Sequence, residues 1–324
     1  MKDGKIRIDK DGDLMYRKVH DYRQLNDITI KNGYPFTFMD TMKENISRAK
    51  WFTALDLPDG YYLVRMAKGE EWKTAFRTIH GLYEYKVMPQ GLINAPASFQ
   101  HMLITILRKF LDKFVFVYLD DILIYSETLE EHKRHVAQVL EALEKANLLV
   151  NAEKSVWHTR KLDFLGFTIT LGQIQIQDFK IEAVKSWPIP DKATVTNVRQ
   201  FLGFTGYVRS LIKDFGKIAK PLTNLTTKEY TGKEFEFLRE AKEAMQTFKD
   251  QITSAPIMKL PNHNKKKRLK TNVSDGALGA VLEQREDDGK WHPVAYYSKA
   301  LKDTESRYPI YDKELLAIIM ALKE

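Results

Sequence analysis

The chain contains no cysteine among its 324 residues. Disulfide bonds and thiolate metal sites are therefore excluded, which fits a reducing compartment. Long hydrophobic runs are missing too, because no stretch reaches the roughly 18 apolar residues that a membrane-spanning helix needs. The polar N-terminus carries no secretory signal. We therefore expect no membrane partner.

What the chain does have is positive charge and enough apolar residues for a core. The formal net charge is +8, the pI is about 9.2, and 44% of the residues are hydrophobic. Clustered Lys and Arg release counterions from phosphates, so this balance favours a polyanionic partner, although it also fits plain solubility. The length suffices for two or three domains.

Hydrophobic periodicity predicts a mixture of helices and strands. Helices are predicted over five segments: 95–111 with Asn94 as its cap, 128–147 with Thr128 and Glu131 as a capping box, 195–213, 238–252, and a last one from about Tyr311. The predicted strands form hairpins over 114–125 and 164–177, followed by 269–273, 278–284 and 292–299. Residues 261–270, which are rich in Lys, read as a linker.

Three aspartates interrupt apolar strands. Asp120 and Asp121 stand between two β-rich apolar runs, and Asp56 lies inside another apolar segment. Unpaired buried carboxylates are costly, and neighbouring ones repel, so a cation should compensate them. Three carboxylates on neighbouring strands would cradle two metal ions for phosphoryl transfer. The alternatives are a water-facing Asp-Asp turn and, for Asp56, a strand-end carboxylate that caps a turn.

Around these acids the chain resembles the polymerases of gypsy-type LTR retrotransposons and retroviruses. The similar stretches follow the family's order from about residue 19 to the end: Asp21–Asn26, Trp51–Arg65, Glu71–Phe76, Gly81–Tyr85, Met88–Leu92, Asn94–Pro96, Tyr118–Asp121, Phe164–Phe167, Phe201–Phe204 and Tyr308–Leu315.

The resemblance implies roles for five residues of the polymerase part. Asp56 and Asp120 resemble the principal metal ligands, and Asp121 resembles the third carboxylate. Tyr61 resembles the aromatic gate that rejects a 2′-hydroxyl, with a core tyrosine as the alternative. Gln90 resembles the residue that touches the incoming nucleotide, and many gypsy-type elements have Phe there.

Two arginines compete for the triphosphate, because guanidinium pairs with phosphate oxygens bidentately. Arg7 follows Lys2 at the family's spacing, and Arg17 precedes Asp21 at the family's spacing. We favour Arg17, whose distance to Asp21 needs no gap, and either could be a solvated arginine. Four further residues resemble the primer-grip hairpin, although as bare sequence they would be interpreted as a core strand: Phe164, Leu165, Gly166 and Phe167.

The last part of the chain resembles an RNase H domain. Asp275 and Glu314 resemble its first two carboxylates, although Glu314 could also be an ordinary first-turn glutamate. The family's two further aspartates have no counterpart before Glu324, so we expect no cleavage of an RNA–DNA hybrid by this chain. Asp287 and Asp288 should point to solvent at a hairpin tip.

The implied fold class is α+β, a right-hand polymerase with a connection and a truncated RNase H-like domain. The expected divisions are fingers and palm over 1–178, thumb over 179–225, connection over 226–264, and the RNase H-like part over 265–324.

The implied function is RNA-directed DNA polymerisation with two Mg²⁺ ions, for which Mn²⁺ is a possible replacement. The implied partners are an RNA template, a DNA primer, their hybrid, deoxynucleoside triphosphates and other products of the same polyprotein. The implied location is intracellular, in a virus-like particle or the nucleus. The alternative function is an inactive remnant that only binds nucleic acid.

Overall fold

The structure, a computed structural model, describes residues 20–35, 39–58, 60–255, 257–274 and 276–324. Contacts between Cα atoms group the described residues into two units. The first unit draws on residues 20–35, 53–58, 60–124 and 133–157, and the second on 39–52, 125–132, 158–255, 257–274 and 276–324.

Helices and strands alternate through both units. The α-helices are α1 Arg23–Ile28, α2 Met39–Asn45, α3 Ala95–Leu107, α4 Leu129–Lys145, α5 Asp178–Lys185, α6 Val195–Gly206, α7 Phe215–Asn224, α8 Arg239–Thr253, α9 Asp303–Ser306 and α10 Ile310–Lys323. Short 3-10 turns cover Ile46–Arg48, Gly60–Leu63, Glu71–Thr74, Arg209–Leu211 and Lys228–Tyr230. Among the described residues, no helix is long and apolar enough to cross a membrane.

The strands are β1 Trp51–Leu55, β2 Phe76–Thr78, β3 Gly81–Tyr83, β4 Val115–Tyr118, β5 Asp121–Ser126, β6 Val156–Thr159, β7 Leu162–Phe164, β8 Phe167–Thr170, β9 Gln173–Ile176, β10 Lys192–Thr194, β11 Glu234–Glu236, β12 Met258–Lys259, β13 Lys267–Ser274, β14 Ala277–Arg285 and β15 Trp291–Ala300. They form sheets in the orders β4-β5-β1-β6, β12-β9-β8-β7 and β13-β14-β15, and two further pairs, β2-β3 and β10-β11.

Two helices cover one face of the strands in the first unit. Phe99 and Leu103 of α3 and Val139 of α4 are fully buried, because apolar residues recur on one side of each helix. They pack against strand residues that share that face: Leu55, Val115, Val117, Ile122 and Ile124. Each such side chain contributes roughly 1.5–3 kcal/mol when fully buried. This packing holds the strand ends that carry the aspartates.

The second unit ends in an antiparallel sheet with a helix on it. β13 pairs with β14, and β14 with β15, with an irregularity at Leu282/Glu283. α10 packs on this sheet around Leu278, Leu301 and Ala317. The predicted strands and the predicted last helix of this region are therefore confirmed.

The last four residues of the Lys-rich segment 261–270 belong to a strand, so the predicted linker is wrong there. β13 begins at Lys267, and its basic side chains pair with acids. Arg268 and Lys270 lie 2.6 and 2.9 Å from Glu283, while Lys265 lies 2.5 Å from Glu286. Burial favours neutral Glu283, yet the hydrogen bonds from Arg268 and Lys270 lower its pKa below the ordinary value.

Asn94 stands at the N-cap position of α3, as predicted, but its side chain makes no capping hydrogen bond, and α3 ends at Leu107 instead of residue 111. Its side-chain oxygen accepts from the backbone N–H of Asn32 at 2.9 Å, and its amide donates to the Ile30 carbonyl. Asn94 therefore fastens an earlier segment to the helix start. The Thr128 hydroxyl, by contrast, accepts from the Glu131 N–H as the predicted capping box requires.

Candidate active site

The three aspartates lie at strand ends. Asp56 directly follows β1, and Asp121 is the first residue of β5. Tyr118 pairs with Asp121, so Leu119 and Asp120 form a two-residue turn between β4 and β5. Leu119 has a φ of 55°, a left-handed conformation that costs a side-chain-bearing residue about 1–2 kcal/mol. The predicted hairpin is confirmed, with a strained turn beneath the acids.

Asp56 and the strained turn share one edge of the sheet. The Lys50 N–H, just before β1, donates to the carbonyl of Ser126 at the end of β5 at 2.9 Å. β1 and β5 are neighbours in the sheet, so they must run in opposite directions. The end of β1 therefore lies beside the turn that carries Asp120.

Asp56 and Asp121 also share one face. Leu55, Leu57 and Ile122 belong to the helix-covered core. Successive side chains along an extended chain point to opposite faces, so Asp56 and Asp121 point away from α3 and α4. Asp120 occupies the tip. The backbone thus brings all three residues to the open side of one sheet edge.

The side chains of the three aspartates are all at least partly accessible to solvent. Asp120 and Asp121 are exposed, and Asp56 is half-buried, so the expectation of buried carboxylates was wrong for the adjacent pair. Within the ranges that the structure describes, no three His, Cys, Asp or Glu side chains form a group that could hold a metal ion. Like charges repel, so convergence of these carboxylates needs a compensating cation.

The backbone of Asp56 is held on both sides by a later segment that sequence reasoning missed. Its N–H donates to the Ser155 hydroxyl at 3.0 Å, and its carbonyl accepts from the Asn151 N–H at 2.9 Å. The Ser155 hydroxyl in turn donates to the Asn151 carbonyl. Because both backbone groups are satisfied, the Asp56 carboxylate is carried on a fixed backbone.

Tyr61 lies beside this edge. Burial, and then the negative charge of Asp120, raise the pKa of its phenol above the ordinary value. The ring meets Phe99 of α3 edge-on, with centroids 5.6 Å apart. Tyr61 therefore packs with one side of its ring against the core, and its phenol interacts electrostatically with Asp120.

Gly60 permits this placement. A Cβ there would lie 2.6 Å from Cζ of Phe99, whose ring is fully buried. We expect Gly60→Ala to lower the free energy of unfolding by about 1–3 kcal/mol, the cost of overpacking a core. Thermal unfolding followed by circular dichroism measures it.

Gly203→Ala is the matched control for Gly60→Ala. Gly203 lies inside α6, and no atom lies within 4 Å of its added Cβ. Alanine should be neutral or stabilising there by about 0.5–1 kcal/mol, because glycine weakens helix interiors. Equal melting temperatures for Gly60→Ala and the unaltered chain would contradict the tight contact.

Gln90 lies half-buried in a turn before Gly91, whose φ is 103°. The side chain of Asn26 fixes this turn, because its amide donates to the Gly91 carbonyl at 2.9 Å and its oxygen accepts from the Ile93 N–H at 2.8 Å. The sequence places Asn26 in a stretch similar to the family but predicts no structural role for it. Its position shows how the first helix, α1, supports the Gln90 turn.

The predicted primer-grip residues form a tight hairpin in the second unit. Phe164 ends β7 and pairs with Phe167, the first residue of β8. Leu165 and Gly166 form the turn with φ angles of 47° and 77°. Both phenylalanines are buried, which agrees with the core-strand alternative for them.

The remaining predicted site residues divide into two groups. Arg7, Arg17 and Asp275 lie outside the described residues. Glu314 is exposed on α10. At the tip between β14 and β15, Asp287 pairs with Lys265 and Asp288 accepts from His292.

Comparison with family models identifies two regions of the chain. Residues 8–169, half of the chain, match "Reverse transcriptase (RNA-dependent DNA polymerase)". Residues 237–324 match "RNase H-like domain found in reverse transcriptase". The first match includes the three aspartates, Tyr61 and Gln90.

The curated relatives are polyproteins of mobile elements. The chain is 39% identical over 319 residues to the retrovirus-related Pol polyprotein from transposon opus of Drosophila melanogaster, covering 96% of the chain and 32% of that protein. It is 38% identical over 314 residues to the transposon Tf2-3 polyprotein of Schizosaccharomyces pombe, covering 97% of the chain and 23% of that protein. The chain thus spans a third or less of these relatives.

Solved structures share the fold. A foamy viral protease-reverse transcriptase in complex with double-stranded DNA superposes with a TM-score of 0.81 at 24% identity, over 98% of this chain and 54% of that chain. A foamy viral protease-reverse transcriptase in complex with an RNA/DNA hybrid superposes with a TM-score of 0.76 at 24% identity, over 94% of this chain and 40% of that chain. The α+β polymerase fold with an RNase H-like part is therefore confirmed, while the domain limits and the site residues stay predictions.

Proposed function

Because the chain belongs to the reverse transcriptase family, we propose that it is an RNA-directed DNA polymerase whose active site is the edge carrying Asp56, Asp120 and Asp121. The observation that carries this proposal is the meeting of Asp56 with the strained Leu119-Asp120 turn, with Tyr61 within electrostatic reach of Asp120. With divalent cations between them and the phosphates, acids on an open sheet edge beside an aromatic ring suit a substrate that combines phosphates with a sugar.

The family depends on divalent metal ions, and the donor chemistry of the edge fits Mg²⁺, which prefers carboxylate oxygens and substrate phosphates. Asp56, Asp120 and Asp121 would hold two such ions, with Mn²⁺ as a possible replacement. When bound, the ions neutralise phosphate charge and lower the pKa of the attacking hydroxyl.

The chain's own residues would position the reactants. Asp56, on its fixed backbone, and Asp120, at the tip, would set where the primer 3′-hydroxyl meets the α-phosphate. Tyr61 would occupy the space of a 2′-hydroxyl, and Gln90 would contact the incoming deoxynucleoside triphosphate. Arg17 is the proposed triphosphate ligand. Such positioning supplies a large share of catalysis in phosphoryl transfer.

The proposed partners are an RNA template, a DNA primer and the hybrid that they form. Two observations support them: structural neighbours bound to double-stranded DNA and to an RNA/DNA hybrid, and a net charge of +8. Other products of the same polyprotein, and action in a virus-like particle or the nucleus, belong to this proposal.

Primer extension tests the function. The chain is incubated with a labelled DNA primer on an RNA template, the four deoxynucleotides and Mg²⁺. Extension that requires the template and stops with a chelator supports the proposal. Duplex binding without extension under both Mg²⁺ and Mn²⁺ would favour the inactive remnant instead. The same reaction with a labelled hybrid tests the expected lack of RNase H cleavage.

A further inference from the structure

Three residues contact the turn between β7 and β8 and fix its position. The Tyr207 hydroxyl donates to the Leu165 carbonyl. The Gln177 N–H donates to the Gly166 carbonyl at 3.3 Å. The side chain of Lys180 lies against Gly166, with its last atoms where a Cβ would stand. A residue with a side chain would therefore displace Lys180 from the turn.

Lys180 presents its charge on an aromatic surface. Its ammonium lies 3.8 Å from the ring centroid of Tyr207 and 5.8 Å from that of Phe167. Those two rings stack on each other with centroids 5.2 Å apart. Aromatic faces attract cations, so the rings hold the ammonium beside the turn.

The position is otherwise unfavourable for a cation. Lys180 is the third residue of α5, where the helix dipole disfavours positive charge. The side chain is half-buried, and burial lowers its pKa. Among the residues that the structure describes, no carboxylate forms an ion pair with Lys180. This includes Asp178 and Glu182 of the same helix, and Glu182 pairs with Lys185 instead.

We propose that a nucleic-acid strand lies over the Leu165-Gly166 turn and that Lys180 binds one of its backbone phosphates. This inference rests on the proposed polymerase function and adds a positioning residue to it. The ammonium, held at a fixed place by Tyr207 and Gly166, would set the height of that strand above the turn. A phosphate would supply the negative charge that the described part of the chain does not place there.

The competing explanation is purely structural: the lysine stem fills space over Gly166, and the charge has no partner. Lys180→Met separates the two, because methionine keeps an unbranched apolar stem and removes the charge. Each phosphate contact contributes about 0.9 to the slope of log K against log salt. A structural role would leave that slope unchanged.

The experiment measures binding of a labelled DNA primer–RNA template duplex by fluorescence anisotropy at several KCl concentrations. For one lost contact, the factor by which Kd rises over a fourfold salt range should fall by roughly 3.5-fold in Lys180→Met. Lys180→Gln is a second neutral variant, and Lys180→Arg should keep the original slope. Melting temperatures verify that each variant is folded.

Lys185→Met is the matched control, since Lys185 is on the same helix and pairs with Glu182 at 2.6 Å. A slope that falls for Lys180 and not for Lys185 supports the phosphate contact. An unchanged slope in the neutral Lys180 variants, or an equal fall for both lysines, overturns it. Primer extension by the unaltered chain is run in parallel, so a failed function and a failed Lys180 contact give different results.

Discussion

Asp120→Asn should abolish primer extension, by about three orders of magnitude or more, while the melting temperature stays unchanged. The substitution removes a charge and almost no volume from an exposed turn position. Metal ions that stabilise a phosphoryl transition state contribute several kcal/mol, and each 1.36 kcal/mol corresponds to a tenfold rate change. Single-turnover extension at saturating nucleotide measures the effect.

The control is Asp287→Asn, which makes the same chemical change at the tip between β14 and β15. The Asp287 side chain is 95% exposed and lies 3.2 Å from Lys265. Extension should be unaffected there. If Asp120→Asn retained more than a tenth of the original rate, the proposed active-site edge would be wrong. Asp56→Asn should match Asp120→Asn, since both residues lie at that edge.

Local signals predicted the central hairpin. Two apolar runs on either side of Asp120 and Asp121 predicted a hairpin, and β4 and β5 form it, with Leu119 and Asp120 in the turn. The two helices beneath were equally visible, because α3 and α4 repeat apolar residues at helical spacing.

Among the helices of the second unit that the sequence did not predict, α5 and α7 were missed for different physical reasons. α7 contains Pro221, and proline inside a segment normally ends a helix, so its pattern argued against one. α5 has only eight residues, too few for a periodic signal. Tertiary packing stabilises both, which local propensity cannot report.

The contacts that build the candidate site were beyond local reasoning. Ser155 holds Asp56 across 99 residues of sequence, and Asn94 binds Ile30 across 64. A serine or an asparagine has many equally good local partners, so composition does not identify the distant one. The family resemblance was sufficient to single out Asp56 and Tyr61. The residues that hold them in place became visible only in the three-dimensional structure.

If the chain has the proposed polymerase activity, Tyr61→Ala should let it incorporate ribonucleotides, lowering the preference for deoxynucleotides by roughly 100-fold. The ring is held edge-on against Phe99 and lies near Asp120, so its free side would face the sugar of a bound nucleotide. Steric exclusion of one small group yields selectivity of roughly 10–200-fold. Single-nucleotide incorporation of matched ribo- and deoxynucleotides gives kcat/KM for each.

Tyr61→Phe is the decisive companion, because it keeps the ring and removes only the hydroxyl. If the ring excludes the 2′-hydroxyl, discrimination should persist in Tyr61→Phe and disappear in Tyr61→Ala. Loss of the ring also leaves space beside Phe99, so Tyr61→Ala should lower the melting temperature; comparing the two sugars within one variant removes that effect. Equal discrimination by all three proteins would leave Tyr61 as a core residue packed against Phe99.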